Sequence, residues 1–182
     1  ATAAGLNTVL EQRVYSSRLI GRDPHLVLHG GGNTSAKGEV TNIFGKKEKA
    51  LFIKGSGWDL ATIEAKGFPA VKLEPLLEAR KLDSLGDEEM MNFLRNNLFD
   101  SKSPDPSVEC LLHAYLPHPF IDHTHAAAVL TLTNQPGAEE KLRKLYGNRV
   151  AFVPWVMPGF QLAKLCAEIY EKNPNVEGMI LL

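Results

Sequence analysis

The sequence predicts a mixed α/β domain in which helices flank a sheet. The chain has 182 residues, of which 44% are hydrophobic and 23% charged. A chain of this length buries about 70% of the surface that it would expose unfolded, and the composition excludes a disordered or fibrous protein. Helical stripes alternate with short apolar runs, and no repeat or linker divides the sequence, so we expect one domain over residues 1–182.

The first part of the chain predicts a helix and then strands. Apolar residues at roughly helical spacing predict a helix over residues 6–20, which the Gly-Arg-Asp-Pro cluster at 21–24 ends. A short strand is expected at 26–29. Two antiparallel strands are expected at 39–44 and 50–53, joined by a charged turn.

The second part predicts mostly helices, with short strands between them. Capping residues and periodic apolar positions indicate the helices, and brief apolar runs indicate the strands. The expected helices are 74–82, 87–98, 107–116, 136–146 and 161–171, and the expected strands are 120–125, 150–153 and 178–182.

Charge and cysteine content exclude several classes of partner. The net charge is −1 with no strong run of like charges, so no nucleic-acid or anionic-membrane arm is expected and a small ligand is favoured. No stretch is apolar enough to span a membrane. Cys110 and Cys166 are far apart in sequence, which indicates neither a disulfide framework nor a cysteine zinc site and favours a reducing cytosol. Because the apolar run 178–182 stops without a polar tail, we expect the chain to be a fragment.

The pair His123 and His125 is the sharpest chemical feature of the sequence. Side chains two residues apart on a strand point to the same face, so two imidazoles at this spacing can share a metal ion. A catalytic zinc site normally has three protein ligands, however. Taken alone, the pair is more often two ordinary histidines than a metal site.

Glu109 is the second candidate. Pro106 suits a first helical position, which would place this acid in the first turn of a helix with His113 one turn further on the same face. Acids in a first turn are also common as simple partners of the helix dipole. The segment alone therefore favours the structural interpretation, in which Glu109 compensates the dipole and His113 packs locally.

Two glycine-containing loops each follow an expected strand. The loop 29–35 reads His-Gly-Gly-Gly-Asn-Thr-Ser, and the loop 54–57 reads Lys-Gly-Ser-Gly. Exposed backbone N–H groups in such loops can bind an anion, although neither loop has the pattern of a Walker loop or a dinucleotide fingerprint. Together with the helix start at Ser107, they predict a phosphate pocket.

The order of these four motifs resembles that of the class II aldolase and adducin-head family. The glycine loop, the Lys-Gly-Ser-Gly loop, Pro-Ser-x-Glu at 106–109 and His-x-His at 123–125 follow one another as in that family, and the similarity covers nearly all of the chain. The nearest resemblance is to the aldolase domain of bifunctional rhamnulose-1-phosphate aldolase/short-chain dehydrogenase proteins. The resemblance implies a three-layer α/β fold with a central, largely antiparallel sheet.

The resemblance also implies a zinc lyase that splits a ketose 1-phosphate, with L-rhamnulose 1-phosphate as the candidate, into dihydroxyacetone phosphate and an aldehyde. His123 and His125 resemble two zinc ligands, and Glu109 resembles the acid/base. No nucleotide cofactor is implied for this domain. The positions that resemble phosphate ligands are Gly32, Asn33, Ser56, Gly57 and Ser107.

Two departures from the family pattern bear on the site. Val108 stands where the family often has a second serine, and the third zinc histidine is absent. In the family, that histidine lies in a His-Gly pair directly after an apolar strand like residues 177–182. We therefore expect it just past Leu182. In the bifunctional proteins that the chain resembles, a dehydrogenase domain follows the aldolase domain.

Three alternatives remain at this point. An L-ribulose-5-phosphate 4-epimerase is disfavoured because those enzymes have Asp where Glu109 stands, and a scaffold like the adducin head is disfavoured because His123, His125 and Glu109 occur together. A zinc hydrolase would use Glu109 as the base for a metal-bound water. The family also implies a homotetramer, and the segment 152–158 suits either an interface or the core.

Overall fold

The computed structural model describes residues 6–182, and Ala1 to Gly5 lie outside the described part. Helices and strands alternate irregularly along this part of the chain. The helices are α1 (Val9–Gly21), α2 (Leu73–Ala79), α3 (Asp87–Asn96), α4 (Cys110–Tyr115), α5 (Ala127–Thr133), α6 (Ala138–Tyr146) and α7 (Phe160–Lys172). The strands are β1 (Asn33–Thr41), β2 (Lys47–Ile53), β3 (Ala70–Lys72), β4 (Phe120–His123), β5 (Val150–Val153) and β6 (Gly178–Leu181).

The main sheet is antiparallel and has the strand order β3-β2-β1-β4. β1 and β2 form a hairpin, whereas β4 joins β1 after an excursion of the chain through three helices. The register pairs Asn33 with His123 and Ser35 with Ile121. β5 and β6 form a separate parallel pair, which is possible because α7 connects them as a crossover.

The main sheet is covered on both faces, as alternation along β2 shows. Leu51 and Ile53 join a large core cluster with residues of α2, α3, α4 and α7. Phe52 points to the other face and packs with Leu60 and Ile63, where residues of α1 also pack. The result is the helix–sheet–helix layering that the family resemblance implies.

α1 is held by a cap and by a buried polar contact. Thr8 and Glu11 form a capping box, in which the Glu11 N–H donates to Thr8 Oγ1 at 3.1 Å and the Thr8 N–H donates to Glu11 Oε2 at 2.9 Å. Arg13 is buried and donates to the Ser35 carbonyl at 3.1 Å. It also pairs with Asp122 at 2.7 Å, so one guanidinium ties α1 to β1 and β4.

The expected strand at 26–29 is wrong. Residues 24–26 form a turn in which the N–H groups of Leu26 and Val27 both donate to the Asp23 carbonyl, and His29 has a positive φ of 50°. A left-handed residue breaks the extended backbone that a strand requires. The apolar run reflects only the burial of Val27.

Other boundaries differ from the expectation. β1 begins at Asn33, so the last residues of the glycine motif lie on a strand, and the strand expected at 120–125 ends at His123. The helix expected from Ser107 begins at Cys110, which makes Glu109 its N-cap residue. The short strand β3 and the helix α5 were not expected at all. No helix within residues 6–182 is long and apolar enough to cross a membrane.

Candidate active site

Three elements bring together the predicted acid/base, one predicted zinc ligand and one predicted phosphate ligand. Asn33 is the first residue of β1, Glu109 occupies the N-cap position of α4, and His123 is the last residue of β4. Because β1 and β4 pair in the register Asn33 to His123, these two side chains lie side by side at one end of the sheet. We call Asn33, Glu109 and His123 the Glu109 cluster.

Both hydrogen bonds to the Glu109 carboxylate fall on Oε2. Asn33 Nδ2 donates to it at 2.5 Å, and His123 Nδ1 lies 2.6 Å away. A carboxylate that carries a charge can only accept, so the proton of this bond sits on His123 Nδ1, and the other ring nitrogen, Nε2, is the one that could bind a metal ion. Glu109 is buried, and it therefore needs these donors.

The hydrogen bonds decide the charge of Glu109. Burial raises its pKa, but the hydrogen bond from His123, the attraction of a positive charge on that ring when it is protonated, and the hydrogen bond from Asn33 outweigh burial and lower the pKa to about 2. In this arrangement Glu109 is a carboxylate that fixes the tautomer and orientation of His123. Histidine ligands of metals are commonly oriented in this way by a carboxylate.

The predicted zinc ligands fit part of a metal site. The ring centroids of His123 and His125 are 4.9 Å apart, and burial lowers the pKa of His125, which keeps its imidazole neutral as a metal ligand must be. Within residues 6–182, no group of three or more His, Cys, Asp and Glu side chains is arranged to hold a metal ion. The pair supplies two nitrogen ligands, and a third would have to come from elsewhere.

The glycine loop packs directly against the histidine segment. A Cβ on Gly32, whose φ is +65°, would lie 2.6 Å from the His123 carbonyl oxygen, and a Cβ on Gly31 would lie 3.3 Å from His125 Nδ1. The His125 N–H also donates to the Leu26 carbonyl at 2.9 Å. Glycine is required at position 32 because only a residue without a side chain fits so close to the neighbouring backbone.

The Lys54 side chain binds the backbone of the glycine loop. Its Nζ donates to the carbonyls of Gly30 at 2.8 Å and Gly32 at 3.1 Å, and the residue is only 5% exposed. Burial lowers its pKa, while the charges of Asp59 and Glu109 act in the opposite direction. The side chain thus places a cation beneath the loop that was predicted to bind an anion.

The other predicted phosphate residues lie on two paired loops, 54–57 and 105–107, which we call the loop pair. The Ser56 N–H donates to the Asp105 carbonyl at 2.8 Å, and the Ser107 N–H donates to the Lys54 carbonyl at 3.1 Å. Ser56 and Gly57 are exposed, and Gly57 has a φ of +80°. The structure brings Ser56, Gly57 and Ser107 together, whereas Asn33 turns its amide nitrogen toward Glu109.

A cavity of about 630 Å³ opens beside the two histidines. His123 and His125 line one side, and the other side is formed by β6 and the preceding residues, including Ile180. Its volume lies in the range typical of small-ligand sites. A substrate in this cavity would contact the histidine pair.

Two contacts near the site were not expected from the sequence. Asp122, next to His123, is held by Arg13, and His113 binds Ser35 beneath the Glu109 cluster. A signal for Arg13 exists, since it lies four residues after Val9 on the apolar stripe of α1, where a buried arginine requires partners. The sequence places His113 one helical turn after Glu109, but it does not indicate that Ser35 is the hydrogen-bond partner of His113.

Comparison with known proteins places the chain in a family. Residues 11–182 match the model of the class II aldolase and adducin N-terminal domain, and the chain belongs to this family. The chain is 41% identical over 179 residues to a protein of Bacillus subtilis (strain 168) described as the uncharacterized oxidoreductase YuxG. That match covers 98% of this chain but 26% of the relative, so the chain spans about a quarter of its length.

Two solved structures are similar to this chain. The N-terminal class II aldolase domain of a conserved protein from Thermoplasma acidophilum is 38% identical, with a TM-score of 0.91 over 100% of this chain and 83% of that one. YgbL from Klebsiella pneumoniae, provisionally assigned as an aldolase, epimerase or decarboxylase, matches with a TM-score of 0.57 over 96% of this chain and 76% of that one. At 17% identity the second match shows the fold alone. The expected class II aldolase-like fold is confirmed.

Proposed function

We propose that this domain is a zinc-dependent aldolase that cleaves a ketose 1-phosphate, specifically L-rhamnulose 1-phosphate, into dihydroxyacetone phosphate and an aldehyde. The observation that carries the proposal is the Glu109 cluster, in which a buried carboxylate orients one histidine of a His-x-His pair beside a cavity. Lys54, the first residue of the loop pair, binds the glycine loop through its ammonium group. This combination suits a phosphorylated substrate that reacts next to a metal.

His123 and His125 are the residues that would hold the ion, with a third donor from outside residues 6–182, as the family resemblance implies. A bound zinc ion supplies a Lewis acid that stabilises the negative charge developing on substrate oxygens. The Nδ1–H of His123 donates to Glu109 and so directs the opposite ring nitrogen away from the carboxylate.

Glu109 is proposed to move the proton at the carbon where the bond breaks. Oε2 is occupied by Asn33 and His123, so we assign proton transfer to Oε1. In cleavage, Oε1 would first take up the proton that is released by the hydroxyl group on the carbon that becomes the aldehyde, and would then deliver it to the carbon that is freed. In the reverse direction, Oε1 would remove that proton and return it to the new hydroxyl group. Arrival of substrate must raise the proton affinity of Glu109, because a carboxyl with a pKa of about 2 is a weak base.

The phosphate is proposed to bind at the loop pair, where Ser56 and Ser107 offer their hydroxyl groups and Gly57 offers its backbone N–H. Gly32 and Asn33 complete the predicted set from the side of the glycine loop. Binding energy from the phosphate positions the reacting carbons without taking part in the chemistry.

Assembly as a homotetramer is part of the proposal, with further site residues contributed by a neighbour. Trp155 and Met157 are 72% and 68% exposed, whereas Val153 in the same segment is buried. Large exposed apolar side chains next to one another favour a contact surface. Light scattering of the purified protein measures the assembly, and a monomer would contradict this part.

The test of the function is a metal analysis combined with a cleavage assay on the full-length protein. We expect about one zinc per site, release of dihydroxyacetone phosphate from L-rhamnulose 1-phosphate, and loss of zinc in His125→Ala. Conversion of L-ribulose 5-phosphate without cleavage would favour the epimerase instead. Absence of metal and of both activities would indicate a scaffold.

A further inference from the structure

Below the Glu109 cluster, a series of polar contacts continues along the interface between β1 and α4. Asn33, Ser35 and Lys37 alternate on one face of β1, and each contacts α4 or its ends. Asn33 binds Glu109, Ser35 Oγ binds His113 Nδ1 at 2.8 Å, and the Lys37 ammonium donates to the Leu116 carbonyl. We call these three contacts the polar ladder.

The spacing of the ladder follows from the two elements that form it. Residues 33, 35 and 37 share a strand face because side chains alternate. Residues 109, 113 and 116 share a helix face because they are separated by about one turn each. A one-residue slip of β1 against α4 would therefore break all three contacts at once.

The middle contact is the most deeply buried. His113 is 0% exposed and Ser35 is 1% exposed. Thr34, the residue before Ser35 on β1, contacts Ser17 of α1 at 2.7 Å on the other face of the sheet. Because side chains alternate along a strand, the Ser35 hydroxyl faces α4. A buried hydrogen bond between two polar side chains fixes their relative position more strictly than apolar packing does, because a displaced partner leaves both groups unsatisfied.

We propose that Ser35 and His113 are positioning residues for Glu109. The hydrogen bond between them fixes the position of α4 along β1. It thereby places the Glu109 carboxylate between Asn33 and His123. The expected effects on catalysis rest on the proposed function, in which Glu109 moves the proton. The effect of Ser35 and His113 on the contact between Glu109 and His123 does not depend on which reaction the protein catalyses.

The first test compares two substitutions of His113 in the full-length protein. An asparagine amide lies near the position of Nδ1 and can bind Ser35, whereas a glutamine amide reaches toward Nε2 and cannot do so at the same place. We expect His113→Asn to keep kcat within about threefold, and His113→Gln to lower kcat by about 10- to 100-fold with KM nearly unchanged. Equal loss of kcat in both variants would overturn the proposal.

The second test changes Ser35 and uses the far end of the ladder as a matched control. We expect Ser35→Ala to lower kcat by about tenfold or more, Ser35→Thr, which keeps the hydroxyl, to restore most of it, and Lys37→Met to leave kcat unchanged. A loss in Lys37→Met as large as that in Ser35→Ala would mean that the interface acts only through general stability, and would contradict the proposal. If Ser35→Ala does not fold, the His113 pair decides alone.

A spectroscopic readout separates this proposal from the proposed function. The proton on His123 Nδ1, bonded to Glu109 at 2.6 Å, should give a strongly downfield NMR resonance. We expect Ser35→Ala and His113→Gln to shift or broaden this resonance, and His113→Asn and Lys37→Met to leave it in place. An unchanged resonance in all variants would overturn the positioning role even if cleavage is observed, and a shifted resonance would support it even if no cleavage is found.

Discussion

The Glu109 cluster and the loop pair lie next to each other but are built in different ways. In the Glu109 cluster, side chains hold one another, and Asn33 and Glu109 are only 8% and 7% exposed. In the loop pair, main-chain contacts such as those of Ser56 with Asp105 hold the loops, and the serine and glycine are exposed. The first region should therefore be sensitive to small changes of side-chain chemistry, and the second only to changes that affect the backbone or the ligand.

The largest expected effect is that of Glu109→Gln. The amide oxygen can still accept from His123, but the group can no longer carry a proton to or from the substrate, so kcat should fall by about 10²- to 10⁴-fold. Metal content should stay close to that of the wild type, because the orientation of His123 is retained. Elemental analysis and a single-turnover cleavage assay measure the two quantities.

Two other outcomes for Glu109→Gln would change the comparison. Full activity would remove Glu109 from proton transfer. A 10- to 100-fold loss of metal affinity, together with the loss of activity, would instead make Glu109 mainly the orienting partner of His123. Glu109→Asp serves as the control, since it keeps the charge and shortens the reach.

Gly32 and Gly57 allow the same substitution to be compared in the two regions. Both have a positive φ, but a Cβ on Gly32 would meet the His123 carbonyl and Val27, whereas a Cβ on Gly57 has no atom within 4 Å. We expect Gly32→Ala to lower the free energy of unfolding by about 3 kcal/mol, from backbone strain plus the clash, and Gly57→Ala by about 1 kcal/mol, from strain alone. Urea denaturation measures both values. Equal losses would show that the glycine loop can move away from His123.

Ser56→Ala should separate binding from stability in the loop pair. The Ser56 hydroxyl makes one long hydrogen bond, to the Pro106 carbonyl at 3.3 Å, so its loss should change the free energy of unfolding by less than about 0.5 kcal/mol. If the hydroxyl binds the substrate phosphate, KM should rise about tenfold with kcat little changed. An unchanged KM would remove Ser56 from the phosphate site.

The difference between the two regions also explains how much the sequence could predict. The loop pair and the histidine pair follow from local patterns, and the strand β5 was predicted with its observed bounds because a short apolar run between a helix and a proline is a local signal. The strand expected at 26–29 failed, because the backbone there is set by turn contacts to Asp23 and by the left-handed His29. Burial of a residue such as Val27 does not reveal the backbone conformation that buries it.

The contacts of the Glu109 cluster and the polar ladder could not be predicted from the sequence, for a different reason. Asn33 and Glu109 are 76 residues apart, and Ser35 and His113 are 78 apart. Which of them meet depends on the register of β1 against β4 and α4, and register is set by the whole sheet. The sequence could name Glu109 and His123 as candidates, but it could not show that one holds the other.

The smallest expected effect concerns the far end of the ladder and depends on pH. Burial lowers the pKa of Lys37 to about 8, whereas an unfolded chain has an ordinary lysine pKa near 10.5. Between these two values the unfolded state binds more protons than the folded state, so this residue makes the protein more stable as the pH rises from about 8 to 10.5. Below pH 8, both states carry the charge, and the cost of burying it is fully present.

Lys37→Met removes this dependence, so the difference between the two proteins isolates it from the other groups whose protonation changes with pH. The unfolding free energy of the wild type relative to Lys37→Met should rise by on the order of 1 kcal/mol between pH 8 and 10.5, after allowance for partial solvent screening. Urea denaturation at several pH values measures the difference. A flat difference would mean that the Lys37 ammonium is solvated as in the unfolded chain. The buried part of the polar ladder would then end at the contact between Ser35 and His113. The contrast with the exposed loop pair would rest on those two residues and the Glu109 cluster alone.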